Sequence, residues 1–262
     1  MISRFIDSGY FDLLYIIILV SSVLSGYCIA RYRYIKKQRV WKISGTENGI
    51  IGFYGLLISF ILVQSGNSNR ERTDFIHQHC DALATIHQET LSMPDSIHHM
   101  LHEDLVRLLE FNLRASDAEA VDFQALYIES GDIYRTIWTK LGKIALEGSS
   151  LIASSGIITE QMHRATALNY RILYSHKDRT PAEVMVILIL GSWIVGLLVG
   201  FTNGFNKEHH FLVPIIFTTL AGLTLLSIRD LDNPTTGMIR PSYESYRNLL
   251  TDLNGDELKN QR

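Results

Sequence analysis

Residues 184–201 read Val-Met-Val-Ile-Leu-Ile-Leu-Gly-Ser-Trp-Ile-Val-Gly-Leu-Leu-Val-Gly-Phe, eighteen positions without a charged side chain. A bilayer core about 30 Å thick needs about 20 residues of α-helix to cross it, so this stretch predicts a membrane span. It is preceded by Thr180-Pro181-Ala182-Glu183, which matches a capping box with proline at the first helical position. The pattern predicts a helix that begins at these residues and crosses the membrane.

Three more stretches share this character. Residues 211–228 are uncharged and follow the short connection 203–210, so the last two spans form a helical hairpin, which ends at Asp232-Asn233-Pro234. Towards the amino terminus, residues 13–30 are uncharged, and so are residues 49–69. Their length disfavours core helices of a soluble protein, and the basic segment after the first stretch disfavours a cleaved signal peptide. The sequence therefore predicts a polytopic membrane protein with four transmembrane helices.

The composition agrees with a membrane protein and excludes several other classes. Of the 262 residues, 47% are hydrophobic and 19% are charged, whereas a soluble domain carries about 25% charged residues. A net charge of −3 gives no reason to expect a nucleic-acid partner. Cys28 and Cys80 form no spaced motif, which excludes a disulfide scaffold and a cysteine-based zinc site. Because no nucleophile motif, phosphate loop or dinucleotide fingerprint is present, we expect neither an enzyme nor a cofactor.

The segment between the second and third spans has the pattern of a helical domain. Residues 65–182 carry a net charge of −5 and contain four runs of apolar residues at helical spacing, separated by breaks at 92–94, 116–117 and 148–150. The second span is expected to continue out of the membrane as one helix over about 49–90. We therefore predict an all-α fold in four parts: an N-terminal transmembrane hairpin (1–64), a helical extramembrane domain (65–182), a C-terminal transmembrane hairpin (183–230) and a C-terminal tail with a short helix (231–262).

The distribution of basic residues predicts the orientation. Six basic residues lie between positions 31 and 48, which is typical of a cytoplasmic loop and would place the helical domain outside, in the periplasm if the membrane is a bacterial inner membrane. Basic residues also flank the opposite ends of the spans, and they favour the reverse orientation: Arg70, Arg72, Arg171, Lys177, Arg179, Arg229 and Arg240.

Small residues and histidines supply further candidate sites. Gly55, Gly196 and Gly200 are predicted helix-packing positions, either within one chain or between subunits. His98 and His102 share one helix face at a spacing that can bind a metal, but two ligands do not make a site, so no metal is predicted. The alternatives for the histidines are solvated or interhelical positions, and a pH-sensing role.

The order of several motifs resembles the prokaryotic bestrophin-like membrane family. Gly49-Ile-Ile-Gly-Phe-Tyr-Gly opens a span that leads into Arg70-Glu-Arg-Thr-Asp-Phe. Then follow Asp81-Ala-Leu-Ala-Thr-Ile-His, Met93-Pro94, and Asp230-Leu-Asp-Asn-Pro with Ile239-Arg-Pro. The resemblance covers nearly the whole chain. It implies four membrane spans around a helical middle, with membrane lipid and further copies of the chain as partners.

A more distant similarity leads to the bestrophins, pentameric anion channels. Gly52-Phe53-Tyr54 is similar to a Gly-Phe-Tyr in the bestrophin pore helix. By this analogy Gly45, Gly49 and Phe53 fall near the neck of the pore. A bulky apolar side chain is expected at these positions, and only Phe53 has one. The resemblance implies a homo-oligomeric channel for inorganic ions. Its predicted pore-lining residues are Gly49, Gly52, Phe53, Ser59 and Gln64.

The residue composition of the four predicted spans distinguishes between classes of membrane protein. They contain no Asp, Glu, Lys, Arg or His, which argues against a proton-coupled transporter. An ion channel remains compatible, because its constriction can be built from apolar or uncharged residues. The rival interpretation is a non-conducting, membrane-anchored sensor or interaction protein that acts through its helical domain.

Overall fold

The computed structural model describes residues 9–36, 45–117, 123–147, 152–176, 178–205, 211–233 and 237–260, and in these ranges it contains helices and no strand. A π-helical segment, Ala30–Ile35, continues the first helix. The eight α-helices are α1 (Phe11–Ile29), α2 (Thr46–Thr90), α3 (Asp95–Asp117), α4 (Phe123–Glu147), α5 (Ile152–Ser175), α6 (Ala182–Phe205), α7 (Leu212–Asp232) and α8 (Glu244–Asn260). Four of them, α1, α2, α6 and α7, are long and apolar enough to cross a membrane. The predicted all-α fold with four membrane helices is confirmed.

The helix boundaries follow the local signals in the sequence. Helix α6 begins directly after Pro181, and α7 ends at Asp232. Helix α2 is continuous over 45 residues, about 68 Å at 1.5 Å per residue, so a core of about 30 Å holds only part of it. We take the uncharged stretch 49–69 as its membrane-spanning part. The break predicted at 148–150 lies outside the described residues.

The chain forms two compact units. The first comprises residues up to Ser68 together with 179–233, and the second comprises residues 69–178 together with the chain from 234 onward. Helix α2 therefore contributes its first half to one unit and its second half to the other. Helix α8 belongs to the second unit, with α3, α4 and α5.

The first unit is built on a close contact between α1 and α6. A Cβ atom added to Gly26 would lie 2.0 Å from the carbonyl oxygen of Leu197, and one added to Gly200 would lie 1.9 Å from the carbonyl oxygen of Val23. At Gly196 the added atom would lie 2.2 Å from Oγ of Ser22. The two backbones are thus in direct contact, as small residues permit in lipid, where packing drives helix association. In this structure Gly196 and Gly200 serve packing within one chain.

Helices α2 and α7 contact the pair of α1 and α6 through a few specific interactions. The hydroxyl of Tyr54 in α2 donates to the carbonyl oxygen of Leu188 in α6 at 3.1 Å, deep in the span. Arg229 at the end of α7 pairs with Asp12 at the start of α1, and its guanidinium lies 5.4 Å from the centroid of the Phe11 ring. These contacts hold all four spans in one bundle, with its charged groups at the helix ends.

The second unit has its own hydrophobic core. It is built from the apolar faces of α3, α4, α5, α8 and the second half of α2, with Ile76, Leu83, Leu108, Leu109 and Met162 among its buried members. Tyr246 of α8 is fully buried there, so the C-terminal helix is an integral part of this unit.

Replacing Gly200 tests the contact between α1 and α6. We expect Gly200→Ala to lower the apparent Tm of the detergent-solubilised protein, because its Cβ would overlap a backbone carbonyl oxygen 1.9 Å away and overpacking costs about 1–3 kcal/mol. Gly222→Ala in α7 is the matched control, since nothing lies within 4 Å of its added Cβ. An equal Tm for the two variants would contradict the close contact.

Candidate pore-lining face and polar centres

The five predicted pore-lining residues lie on one face of α2. Gly49, Gly52, Phe53, Ser59 and Gln64 are all exposed in the first unit. At 3.6 residues per turn their positions fall along one side of the helix. The Phe53 side chain is 69% exposed. The structure thus groups the predicted residues on a surface that the chain itself does not cover.

The opposite face of α2 packs into the bundle. Tyr54 and Ile58 are buried in the core of the first unit, and Ser65 is buried at 1% exposure, 3.4 Å from the hydroxyl of Thr180. The Tyr54 ring fills the space beside Gly191, where an added Cβ would lie 2.7 Å from it. This anchoring determines which face of α2 points away from α6.

The exposed face is uncharged and uneven. Leu56, Phe60 and Val63 lie between the candidates and are 57–66% exposed. An added Cβ would meet nothing within 4 Å at Gly49, Gly52 or Gly55, so the glycines leave recesses beside the large side chains. Gly55, predicted to pack helices, therefore has no neighbour of its own chain at that point. In a membrane, lipid or another copy of the chain must cover such a surface.

The Bestrophin-like domain model matches residues 46–246, from the start of α2 into α8. The chain belongs to the bestrophin-like family. The resemblance drawn from the sequence motifs is thereby confirmed. No match is found among curated proteins.

Solved structures support the same fold for this bestrophin-like protein. A point mutant of a bacterial bestrophin homologue from Klebsiella pneumoniae has a TM-score of 0.70 at 13% sequence identity, with 92% of this chain and 99% of that chain covered. A second mutant of that homologue has a TM-score of 0.67 at 14% identity, with 93% and 97% covered. A variant described as a membrane protein reaches 0.71 at 12% identity, with 95% and 97% covered.

A buried polar centre joins four helices of the second unit. Nδ1 of His79 in α2 lies 2.7 Å from the Tyr246 hydroxyl in α8, and Nε2 lies 2.6 Å from the Tyr134 hydroxyl in α4. The Tyr134 hydroxyl also lies 3.3 Å from the Ala165 carbonyl oxygen in α5. Because His79 is completely buried, the pKa of its imidazole falls to about 3. It is therefore neutral at physiological pH, and both ring nitrogens have hydrogen-bonding partners.

Sequence reasoning did not identify the two tyrosines as partners of His79. The one available signal was periodicity, since His79 shares a helix face with the apolar residues Ile76, Leu83 and Ile86. That pattern indicates burial, but it does not indicate which side chain is opposite. The two tyrosines are 55 and 167 residues away in the chain.

The weak metal candidates His98 and His102 lie at the start of α3. Their ring centroids are 5.9 Å apart, and His87 from the end of α2 lies 5.8 Å and 5.7 Å from them. In the part of the chain that the structure describes, no three His, Cys, Asp or Glu side chains are arranged to hold a metal ion. The structure adds His87, from the end of α2, to this pair.

The buried imidazole of His79 makes the stability of the second unit depend on pH. The pKa of His79 is about 3 in the folded protein and about 6.5 in the unfolded chain. The contribution of the neutral imidazole to the free energy of unfolding is therefore complete above about pH 6.5, and it decreases as the pH falls towards 3. We expect the free energy of unfolding to fall by up to about 1.4 kcal/mol per pH unit in this window. Denaturant titrations of the full chain in detergent at several pH values measure this slope.

Two variants separate this effect from general acid sensitivity. His79→Gln is expected to be less stable at pH 7, because two tyrosine hydroxyls lose their partner, and to show a smaller slope with pH. His77→Gln, on the exposed side of the same helix, should keep the slope of the unmodified protein. The assignment to His79 fails if both variants show the same slope.

Proposed function

We propose that this bestrophin-like protein is a homo-oligomeric ion channel lined by α2. The observation that carries the proposal is the uncharged face of α2, on which Gly49, Gly52, Phe53, Ser59 and Gln64 lie together and exposed. All four spans expose apolar surface, but α2 is the least buried of them in the described residues, and it keeps this face outward over several turns. Copies of the chain arranged in a ring with this face inward would enclose a pathway.

The chemistry of the face suits a gate rather than a fixed charged filter. Phe53 and Phe60 are the largest side chains on it, and rings of such residues gate by excluding water from a narrow pore. The Ser59 hydroxyl donates to the Gly55 carbonyl oxygen at 2.7 Å, which leaves its oxygen lone pairs directed outward. In the proposed pore these oxygens and the Gln64 amide supply the polar contacts for an ion.

A second candidate function is a non-conducting sensor that acts through the helical domain. A cavity of about 370 Å³ lies between α4 and α5 and is lined by Tyr127, Trp138 and Tyr170. Its aromatic walls, with Asp132 and Arg135 beside them, are of the kind that bind small organic molecules. Binding of such a molecule without ion flux would favour this function.

Phe53→Ala tests the lining of the pore. We expect the unmodified protein to elute as a ring-sized oligomer in detergent and to mediate ion flux in liposomes. The Phe53→Ala variant should change this flux severalfold, because it removes a bulky apolar side chain from the pathway. Parallel liposomes containing chloride-sensitive and sodium-sensitive dyes identify the ion. Measurement of oligomeric mass on the same samples links the flux to the assembly.

Leu223→Ala is the matched control for this experiment. Leu223 is also an apolar side chain with 60% exposure, but it lies on α7. Its flux should equal that of the unmodified protein if only α2 lines the pathway. A monomer or dimer without flux would overturn the channel proposal, and equal changes in both variants would overturn its lining.

We propose further that the helical domain lies outside, in the periplasm of a bacterial inner membrane. The six basic residues between positions 31 and 48 support a cytoplasmic position for that loop. In a Cys28→Ser background, Thr139→Cys on the exposed side of α4 should react with a membrane-impermeant maleimide added to intact spheroplasts. Lys36→Cys, exposed at the other end of the spans, should react only after lysis. The reverse labelling pattern would invert the orientation.

A further inference from the structure

Four histidines surround the turn between α2 and α3. His87 lies in the last turn of α2, and His98, His99 and His102 lie in the first two turns of α3. Each pair among His87, His98 and His102 has ring centroids 5.7–5.9 Å apart, and His99 lies 5.7 Å from His98. These four residues are called the histidine cluster below. It is separate from the centre at His79 and from the face of α2 that carries the channel proposal.

Thr90 determines which nitrogen of His98 can accept a proton. Its buried hydroxyl donates its only proton to the carbonyl oxygen of His87 at 2.6 Å. The 3.0 Å contact between the same oxygen and Nδ1 of His98 must therefore be an N–H bond donated by the imidazole. Nε2 of neutral His98 then carries the lone pair, and protonation occurs there.

The surroundings of the cluster oppose positive charge. His87 and His102 are buried, with 6% and 4% of their surface exposed, and His98 is partly buried. Burial lowers the pKa of His98, and the neighbouring imidazoles of His87, His102 and His99 lower it further. The Asp95 carboxylate acts in the opposite direction, but the net direction is downward. A second proton in the cluster meets the charge of the first at close range.

Charged groups from the other packed helices are engaged elsewhere. Helices α4 and α8 also pack on α3. Lys140 of α4 pairs with Asp104 at 2.7 Å, and Tyr246 of α8 is bonded to His79. At His98 itself, the imidazoles of His87, His102 and His99 lower the pKa and the Asp95 carboxylate raises it.

The hydrogen bonds of the turn are local. Residues 91–93 each donate one backbone hydrogen bond to the residue three positions earlier, at 3.0–3.3 Å, and the Thr90 and Ser92 hydroxyls and the Pro94 carbonyl oxygen make further bonds within residues 87–98. Met93 is the apolar anchor of the turn, buried at 7% exposure against the core. A segment whose hydrogen bonds are all local can open without unfolding the rest of the unit.

We propose that the histidine cluster is a proton-responsive latch between α2 and α3. While its imidazoles are neutral, the end of α2 and the start of α3 pack closely, and Met93 stays in the core. When His98 takes up a proton in acid, its positive charge lies among the other three imidazoles, the turn opens, and the Met93 side chain leaves the core. Acidification thus changes the conformation of one end of the helical domain, whether or not the protein conducts ions.

Hydrogen exchange of the full chain in detergent tests the latch. After correction for the intrinsic pH dependence of exchange, peptides covering 87–102 should exchange severalfold faster at pH 5.5 than at pH 7.4, because burial and the neighbouring imidazoles lower the pKa of His98 in the closed state. Peptides covering 133–144, in the core of α4, are the internal reference. These peptides report the acid sensitivity of the whole unit that is due to His79. The response of 87–102 in excess of theirs measures the local opening. Each sample is measured with and without EDTA.

His98→Asn is the informative variant, because the asparagine amide can replace the Nδ1–H donor to Thr90 but does not titrate. It should match the unmodified protein at pH 7.4 and lose most of the acid response in 87–102. His77→Asn, exposed on α2 outside the cluster, should keep the full response. The proposal is overturned if peptides 87–102 exchange equally at the two pH values, or if the reference peptides respond as strongly. It is also overturned if His98→Asn keeps the full response. A response present only without EDTA would indicate metal binding and would overturn it as well.

Discussion

The backbone contact between α1 and α6 is the constraint on which the membrane unit depends. Gly26 and Gly200 face carbonyl oxygens of the opposite helix so closely that no side chain fits at either position. In lipid the hydrophobic effect does not drive one apolar helix against another, so close packing must supply the stability. Glycines at these points allow the two backbones to approach, and the remaining spans assemble on the pair that results.

This arrangement leaves α2 with two different faces. Tyr54 anchors one face to α6 through a hydrogen bond and through the space beside Gly191, while Phe53, one position earlier, points away from the bundle. A surface with large aromatic side chains and glycine recesses is well suited to contact identical neighbours or an aqueous pathway. The family membership and the uncharged spans agree with that use, and the acidic and basic groups at the helix ends, such as Asp12 and Arg229, stabilise the bundle.

The helical domain is organised by buried imidazoles as well as by apolar packing. At His79 two tyrosine hydroxyls satisfy both ring nitrogens, so a polar group in the core joins α2, α4 and α8. In the histidine cluster four imidazoles lie close together, and burial opposes the protonation of His98. The hydrogen bonds at His79 hold the three side chains in one arrangement. The histidine cluster makes the α2–α3 turn sensitive to protons, because a positive charge would be generated where Met93 must stay buried.

The sequence by itself determined the number of spans, the continuity of α2, the all-α class and the family, because uncharged runs, helix caps and motif order are local properties of the chain. It left the histidines open between solvated and interhelical positions. Only the tertiary structure decided that Gly200 meets Val23, that His79 meets Tyr134 and Tyr246, and that His87 joins His98 and His102. Helical periodicity tells which side of a helix is buried, but the partner on that side depends on how segments distant in the chain pack together.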